Sequence, residues 1–308
     1  MPQNRTLRLG TRGSKLALVQ ADMVRDRLIA NGAACEIVIL KTSGDRIQDR
    51  SLADAGGKGL FVKEFEDALL KEDIDLAVHS MKDVPTALPP GLDLSAFLER
   101  EDPSETFLSH KARSLADLPK GARIGTSSVR RHAQVLRARP DLDVVLLRGN
   151  VDTRLKKLDD GEMDAILLAL AGLKRLGLAS RATAILDPKV WLPSLAQGAI
   201  GIEIRETDTR AREITGLLNH EPTELALACE RAFQAALDGS CRTPIAGLAT
   251  IDGGRLAFSG EVLAPDGSDA ATATFDVALG PNPRAEARNA GRVAGEALKP
   301  RVNRWLAL

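Results

Sequence analysis

The 308-residue chain contains no tyrosine, and only 3% of it is aromatic. Stacking platforms for bases or sugars are therefore a poor basis for binding. An excess of one charge is missing too: Lys plus Arg and Asp plus Glu both number 42, so the whole-chain field draws neither nucleic acid nor an anionic membrane. Any anion chemistry must come from local clustering. No run of about 18 apolar residues is available to span a bilayer. The start, Met-Pro-Gln-Asn-Arg-Thr-Leu-Arg, lacks the apolar core of a secretory signal, so the chain reads as cytoplasmic. Cysteine is scarce as well: Cys35, Cys229 and Cys241 are an odd count in a long chain, which argues against a disulfide framework and leaves each thiol to be explained alone. With four histidines and no close Cys/His spacing, no metal site is expected.

What is present is an ordinary globular balance, 44% hydrophobic and 27% charged, with apolar mass for two or three cores. Leu16, Val19, Met23, Val24 and Leu28 stand at helical spacing, Asn31-Gly32 closes that helix, and a strand follows at 36–40. A helix over 60–70 precedes an apolar run at 74–78, after which Pro85, Pro89 and Pro90 interrupt regular structure. The pattern restarts near Arg123 with strands at 123–125, 144–147 and 165–170 and helices from Val129 and Asp152. Strand and helix alternate, which favours parallel sheets covered on both faces. The segment 192–198 breaks this order, and the run 200–204 is expected to close one of the sheets, with a return into the first unit. From Glu221 the texture changes to a helical face of Leu225, Ala228, Cys229, Ala232, Phe233 and Leu237, then strands near 245–251, 256–263 and 271–279, joined by Asp-Gly-Gly and Pro-Asp-Gly turns, and a closing helix over 283–298.

Chemistry is signalled by arginines at element ends. Arg12 lies in Gly-Thr-Arg-Gly-Ser, Arg130 and Arg131 follow Gly-Thr-Ser-Ser at a helix start, and Arg148 and Arg154 flank the next helix start. Helix N-termini expose unpaired N–H groups and a guanidinium offers a planar fork of donors, so together they suit carboxylates or phosphates. Cations in a first helical turn oppose the macrodipole, a cost that an arriving anion removes. Any one of these arginines alone is a solvated surface charge; the set at strand-to-helix junctions points to an anion cleft. Lys82 and Asp83, in His-Ser-Met-Lys-Asp-Val-Pro, end an apolar strand, where ligands bind in open α/β sheets; a structural Lys–Asp loop pair is the plainer alternative. Gly56-Gly-Lys-Gly has the look of a phosphate cradle but not the spacing of a nucleotide loop. Cys35 and Cys229 sit in apolar patterns and read as packing residues. Cys241 sits in Asp-Gly-Ser-Cys-Arg-Thr-Pro after a helix, where Arg242 favours thiolate, though the loop alone does not make the thiol functional.

Taken in order, these motifs resemble the porphobilinogen deaminase (hydroxymethylbilane synthase) family along nearly the whole chain. The resemblance rests on Arg12-Gly-Ser-Lys-Leu-Ala, Gly56-Gly-Lys-Gly-Leu-Phe-Val-Lys-Glu, His79-Ser-Met-Lys-Asp-Val-Pro and Gly125-Thr-Ser-Ser-Val-Arg-Arg. It continues through Arg148-Gly-Asn-Val-Asp-Thr-Arg-Leu, Ala171-Gly-Leu-Lys-Arg-Leu-Gly, Gln197-Gly-Ala-Ile-Gly-Ile-Glu and Gly239-Ser-Cys-Arg-Thr-Pro. It implies an α/β fold in which two periplasmic-binding-protein-like domains flank a cleft, with a smaller C-terminal α+β domain. The implied boundaries are 1–98 with 199–217, then 104–193, then 221–308; from the Pro-rich and irregular joints of the sequence, hinge motion is expected near 98–104 and 194–200. It implies an enzyme that joins four porphobilinogen molecules head to tail with release of ammonia, on a dipyrromethane primer held as a thioether by Cys241. Asp83 is the implied proton-handling carboxylate at the pyrrole nitrogens, with Lys82 beside it in a catalytic role. Ser14, Lys82, Asp83, Ser128, Arg130 and Arg131 are implied to hold the dipyrromethane. Arg12, Arg148, Arg154 and Arg175, with Lys58, Phe61 and Gln197, are implied to receive the substrate and its acetate and propionate groups. Lys15 and Asp152 depart from the family's usual pattern. The expected partner is the small-molecule substrate alone, with no nucleic acid or membrane, and the expected state is a monomer. Two other classes compete: a non-enzymatic anion-binding protein of the same hinged shape, which leaves Asp83 and Cys241 without a task, and a nucleotide-dependent enzyme, which lacks its phosphate loop.

Overall fold

The computed structural model of the chain describes residues 5–42, 62–237 and 243–306. In chain order it begins with β1 (Leu7–Arg12), α1 (Lys15–Ala30), β2 (Cys35–Leu40), α2 (Lys63–Leu70), β3 (Leu76–Ser80) and β4 (Leu92–Phe97). Then come β5 (Glu105–Leu108), β6 (Arg123–Thr126), α3 (Val129–Ala138), β7 (Asp143–Leu146), α4 (Val151–Asp159), β8 (Ala165–Ala169), α5 (Leu170–Arg175) and β9 (Ala184–Ile185). The chain ends with β10 (Ile200–Arg205), α6 (Thr209–Gly216), α7 (Glu221–Ala236), β11 (Ile245–Asp252), β12 (Arg255–Leu263), β13 (Ala270–Ala278) and α8 (Pro283–Leu306).

Two five-stranded sheets are built on one plan. The first runs β2-β1-β3-β10-β4 and the second β7-β6-β8-β5-β9. In each, three parallel strands are followed by an antiparallel fourth: β10 opposes β3, and β5 opposes β8. Those fourth strands are the ones by which the chain enters the second sheet and later returns to the first. The segments 98–104 and 194–200, where hinge motion is expected, are the crossings and lead straight into the strand beside the central parallel strand of each sheet. This is the two-unit α/β architecture with a C-terminal appendage that the resemblance implies.

Continuous apolar strands are buried on both faces, as parallel sheets require: Leu7, Leu9, Leu76, Ile200, Ile202 and Ile204 form one core with Ala21, Val24 and Leu28 of α1. Under the second sheet Phe107, Ile124, Val135, Ala165 and Leu167 do the same, with Trp191 packed against them. Helix starts at the strand ends are capped by side chains: Ser14 accepts from the Ala17 amide at 3.3 Å, Ser128 from Arg131 at 3.4 Å, and Asn150 from Thr153 at 2.9 Å. Each such cap is worth about 1 kcal/mol.

The C-terminal unit is an antiparallel meander, β11-β12-β13, carrying α7 and α8. Phe233, Phe258, Leu256, Val262 and Trp305 fill its core, and Cys229 is fully buried there, as its apolar pattern implied. Helices α7 and α8 can touch because Gly291 lacks a side chain; a Cβ there would stand 2.1 Å from the Cys229 carbonyl oxygen.

Three readings of the sequence need correction. The last helix runs on to Leu306, through Pro300, because Val302 and Trp305 still have apolar core to cover. Leu170 opens α5 instead of ending β8. Strands β4, β5 and β9 are not among the expected elements: β4 alternates as Leu-Asp-Leu-Ser-Ala-Phe, a strand pattern overlooked beside the prolines, whereas β5 and β9 are four and two residues long, too short for a periodicity to register. The glycine-rich loop at 56–59, Lys58, Phe61 and Cys241 lie outside the described residues.

Candidate active site

The carboxyl ends of the parallel strands in both sheets carry the residues singled out from the motifs. Arg12 ends β1, and Lys82 and Asp83 lie in a short 3-10 turn, Met81–Asp83, directly after β3. In the second sheet β6 runs into Ser128, Arg130 and Arg131, and β7 runs into Arg148 and Arg154. In doubly wound sheets this edge is where ligands bind, because helix N-termini and loop amides converge there.

The two groups face each other closely enough to share an electrostatic environment. Lys82 donates to Gln197 Oε1 at 3.3 Å. Burial, and then the positive field of Arg131, pulls the Lys82 ammonium down to about 8, against the partial support of Asp83 and Glu105. Its side chain still touches solvent, as a group lining a narrow cleft does: water reaches it, but protein surrounds it. Arg154 is lowered to about 10 by burial and then by the neighbouring charges of Arg131 and Arg148, with Asp83 opposing. Arg154 donates to Gly149 O at 2.8 Å and to Ser127 Oγ at 3.1 Å, which fixes its guanidinium beside the start of α4. The rims also meet directly: Lys15 and Asp152, the two departures from the family pattern, form an ion pair of 2.9 Å between the starts of α1 and α4.

One residue of this site was not legible in the sequence. Glu105, fully buried at the start of β5, accepts from Arg131 Nε at 3.0 Å and Nη2 at 2.7 Å, and its other oxygen accepts from Arg130 Nη2. Burial opposes ionisation of Glu105, but Arg131 and Arg130 outweigh it and hold the carboxylate at about 2. The only signal was an acid opening the otherwise uncharged strand Glu-Thr-Phe-Leu, a position where a charge needs a buried partner. Arg130 also donates to Gln134 Oε1 at 2.7 Å and Arg131 to the Leu167 carbonyl at 2.9 Å, so both arginines are built into the second sheet. Arg130 Nε is buried without a hydrogen-bond partner.

Arg175, at the end of α5, and Gln197 both engage the crossing segments, and Gln197 joins them to Lys82. Arg175 donates to the Gly198 carbonyl at 2.6 Å, with its own Nε buried and unpartnered, and burial lowers its pKa. Gln197 is wholly buried and donates to Pro103 O at 2.8 Å, tying one crossing to the other while its carbonyl oxygen receives Lys82. Arg100 reaches Gln197 O at 2.8 Å and Glu230 at 2.6 Å, and Glu230, from α7, also accepts from the amides of Ala196 and Ala249. Glu230 and Arg231 of α7 were likewise missed. Their pattern on the helix reads as ordinary charge, and only the packing of α7 against the crossings shows their task.

Ser14 and Ser128 use their oxygens to cap helices, yet an accepting hydroxyl keeps its proton, so each can still donate into the cleft. Across the described cleft the cations Lys82, Arg130, Arg131, Arg148 and Arg154 outnumber the carboxylates Asp83 and Glu105. The surplus charge and the depressed Lys82 suit a ligand bearing several carboxylates.

Two family models match the chain: "Porphobilinogen deaminase, dipyromethane cofactor binding domain" over residues 7–213 and "Porphobilinogen deaminase, C-terminal domain" over 225–299. A curated porphobilinogen deaminase from Nitrobacter hamburgensis is 53% identical over 298 residues, covering 96% of this chain and 93% of that one. The chain belongs to the porphobilinogen deaminase family. Members of this family are transferases with a dipyrromethane-binding domain, and the arginine-lined cleft described above lies within the region that the first model matches. Among solved structures, a periplasmic substrate-binding protein of an ABC transporter from Coxiella burnetii is similar at 16% identity and a TM-score of 0.44, covering 73% of this chain and 97% of that one. The periplasmic VFT2 domain of Bordetella pertussis BvgS is similar at 14% identity and a TM-score of 0.42, covering 68% and 85%. Among the described residues no helix is long and apolar enough to cross a membrane.

Proposed function

We propose that this member of the porphobilinogen deaminase family joins four porphobilinogen molecules head to tail, releasing ammonia at each addition, and that water then cleaves the bond to the retained primer and supplies the hydroxyl of the linear tetrapyrrole hydroxymethylbilane. Bound dipyrromethane supplies the nucleophilic pyrrole carbon to which the incoming unit is joined, and Cys241 holds it through a thioether. Asp83 accepts hydrogen bonds from pyrrole nitrogens, stabilises the positive charge that develops there and takes up the proton that must leave. Lys82, Ser14, Ser128, Arg130 and Arg131 hold the acetate and propionate groups nearest the anchor. Arg12, Arg148, Arg154 and Arg175, with Lys58, Phe61 and Gln197, receive the units that follow.

The observation that carries the reading is the sum of opposed strand-end charges: Asp83 on one sheet facing a surplus of guanidinium groups on the other, with the Lys82 ammonium pulled to about 8 by burial and by Arg131. A carboxylate arriving beside Lys82 and the arginines meets charges that protein largely surrounds, so each contact is stronger than in bulk solvent. The domain division proposed is 1–98 with 199–217, 104–193, and 221–308. The proposed setting is the cytoplasm, with a monomeric enzyme whose only partner is its small-molecule substrate.

The test is the intact mass of the purified, denatured protein. A single covalent increment equal to two deaminated porphobilinogen units, absent from Cys241→Ser, is expected. An unmodified mass that stays unmodified after incubation with porphobilinogen would sink the proposal and favour a non-catalytic anion-binding protein.

A further inference from the structure

Helix α7 belongs to neither five-stranded sheet, yet consecutive side chains on it reach both the crossings and the candidate active site. Glu230 holds the crossing segments through Arg100 and the Ala196 amide. Arg231, the next residue, donates to the backbone carbonyls of Val84 at 3.2 Å, Pro85 at 2.7 Å and Thr86 at 3.3 Å. Those carbonyls belong to the loop that leaves Asp83. Three successive C=O dipoles turned toward one point repel one another unless a cation sits there, and the planar guanidinium can serve all of them at once. Burial lowers Arg231 to about 10, with the charge of Glu203 opposing that fall, so it stays protonated at neutral pH.

The turn bearing Asp83 is thus held at two points. At its start the Met81 amide donates to Ala199 O at 3.0 Å, which fastens it to the strand entering from the crossing. At its end the Val84 amide closes on Met81 O at 3.3 Å, and Arg231 gathers the next carbonyls. Asp83 lies between these fixings.

We propose that Arg231 is a positioning residue: by fixing the backbone of Val84–Thr86 it aims the Asp83 carboxylate. The inference rests on the role proposed for Asp83, and its test keeps the two apart.

Arg231→Met, Arg231→Lys and Arg231→Ala are compared with the native holoenzyme, with turnover counted per primer-loaded molecule by intact mass. A displacement of the order of 1 Å at a reacting group costs up to ~100-fold. For Arg231→Met, kcat is therefore expected to fall roughly 10- to 100-fold while KM changes by less than about threefold. Amide exchange of the 81–88 segment should quicken in the same variant while the strands of both sheets keep their protection. Arg231→Lys, which retains a buried cation, should recover part of the loss and carries the test if the Met variant does not fold; added guanidinium should partly restore Arg231→Ala. Native kcat per loaded molecule in folded Arg231→Met, or a loss with 81–88 exchange unchanged, overturns the inference. Asp83→Asn is measured alongside. If it turns over normally, the reading of Asp83 itself has failed; if it is inactive while Arg231→Met is normal, only the inference about Arg231 has failed.

Discussion

Replacing Glu105 by Gln removes the one buried negative charge shared by Arg130 and Arg131 while keeping its shape. The cost can be worked in two ways. By linkage, Glu105 is held at about 2 against an ordinary 4.5, because Arg131 and Arg130 outweigh the burial that opposes ionisation; at about 1.4 kcal/mol per tenfold, that is about 3 kcal/mol of stability at neutral pH. By analogy with other buried ion pairs, removing one partner costs about 3–5 kcal/mol because a charge is left uncompensated. Gln can still accept from one guanidinium, so the lower figure, about 3 kcal/mol, is expected at pH 7. The folded pKa is depressed, so this stability is fully present above about pH 4.5 and is lost as pH falls through about 2. The gap between variant and native protein should therefore narrow steadily from pH 5 downward. Urea unfolding followed by tryptophan fluorescence is the assay, since Trp191 packs on the core of the second sheet. A variant within about 0.5 kcal/mol of native at pH 7, or a deficit that does not shrink on acidification, would refute the pairing as the source of that sheet's stability.

Lys82→Met should separate stability from function. The ammonium is lowered from 10.5 to about 8, so the fold opposes its charge; that penalty is full below pH 8 and is relieved as pH rises toward 10.5. The variant should be up to about 3 kcal/mol more stable than native at pH 7, with the advantage shrinking above pH 8, and should lose primer retention or turnover; equal stability at pH 7 contradicts the burial argument. Gly198→Ala strikes the crossing: φ is +87° and a Cβ would stand 2.2 Å from the Glu101 carbonyl oxygen. A loss of about 2–4 kcal/mol in the same unfolding assay is expected, and a loss below about 1 kcal/mol would mean the crossings yield more easily than their packing implies.

Much of this molecule can be read along the chain because its determinants are local. The α1 pattern of Leu16, Val19, Met23, Val24 and Leu28, the Gly-Thr-Ser-Ser run that ends at the cap Ser128, and the continuous apolar strands follow from short-range periodicity and from N–H groups that need acceptors within three residues. Strand ends are also local features, so Arg12, Lys82, Asp83, Arg130, Arg148 and Arg154 could be placed at strand ends and the helix starts that follow them before any sheet was assembled. Which partner each charge meets is a different matter. Glu105 and Arg131 lie 26 residues apart, Arg231 and Pro85 lie 146 apart, and Lys82 and Gln197 lie 115 apart. Nothing in the composition or spacing of either partner announces the other. A buried charge is tolerated only where the tertiary fold delivers its counterpart, so the sequence shows that Glu105 and Arg231 are charged, and only the packing of β5 under α3 and of α7 against the loop after Asp83 decides what each charge is for.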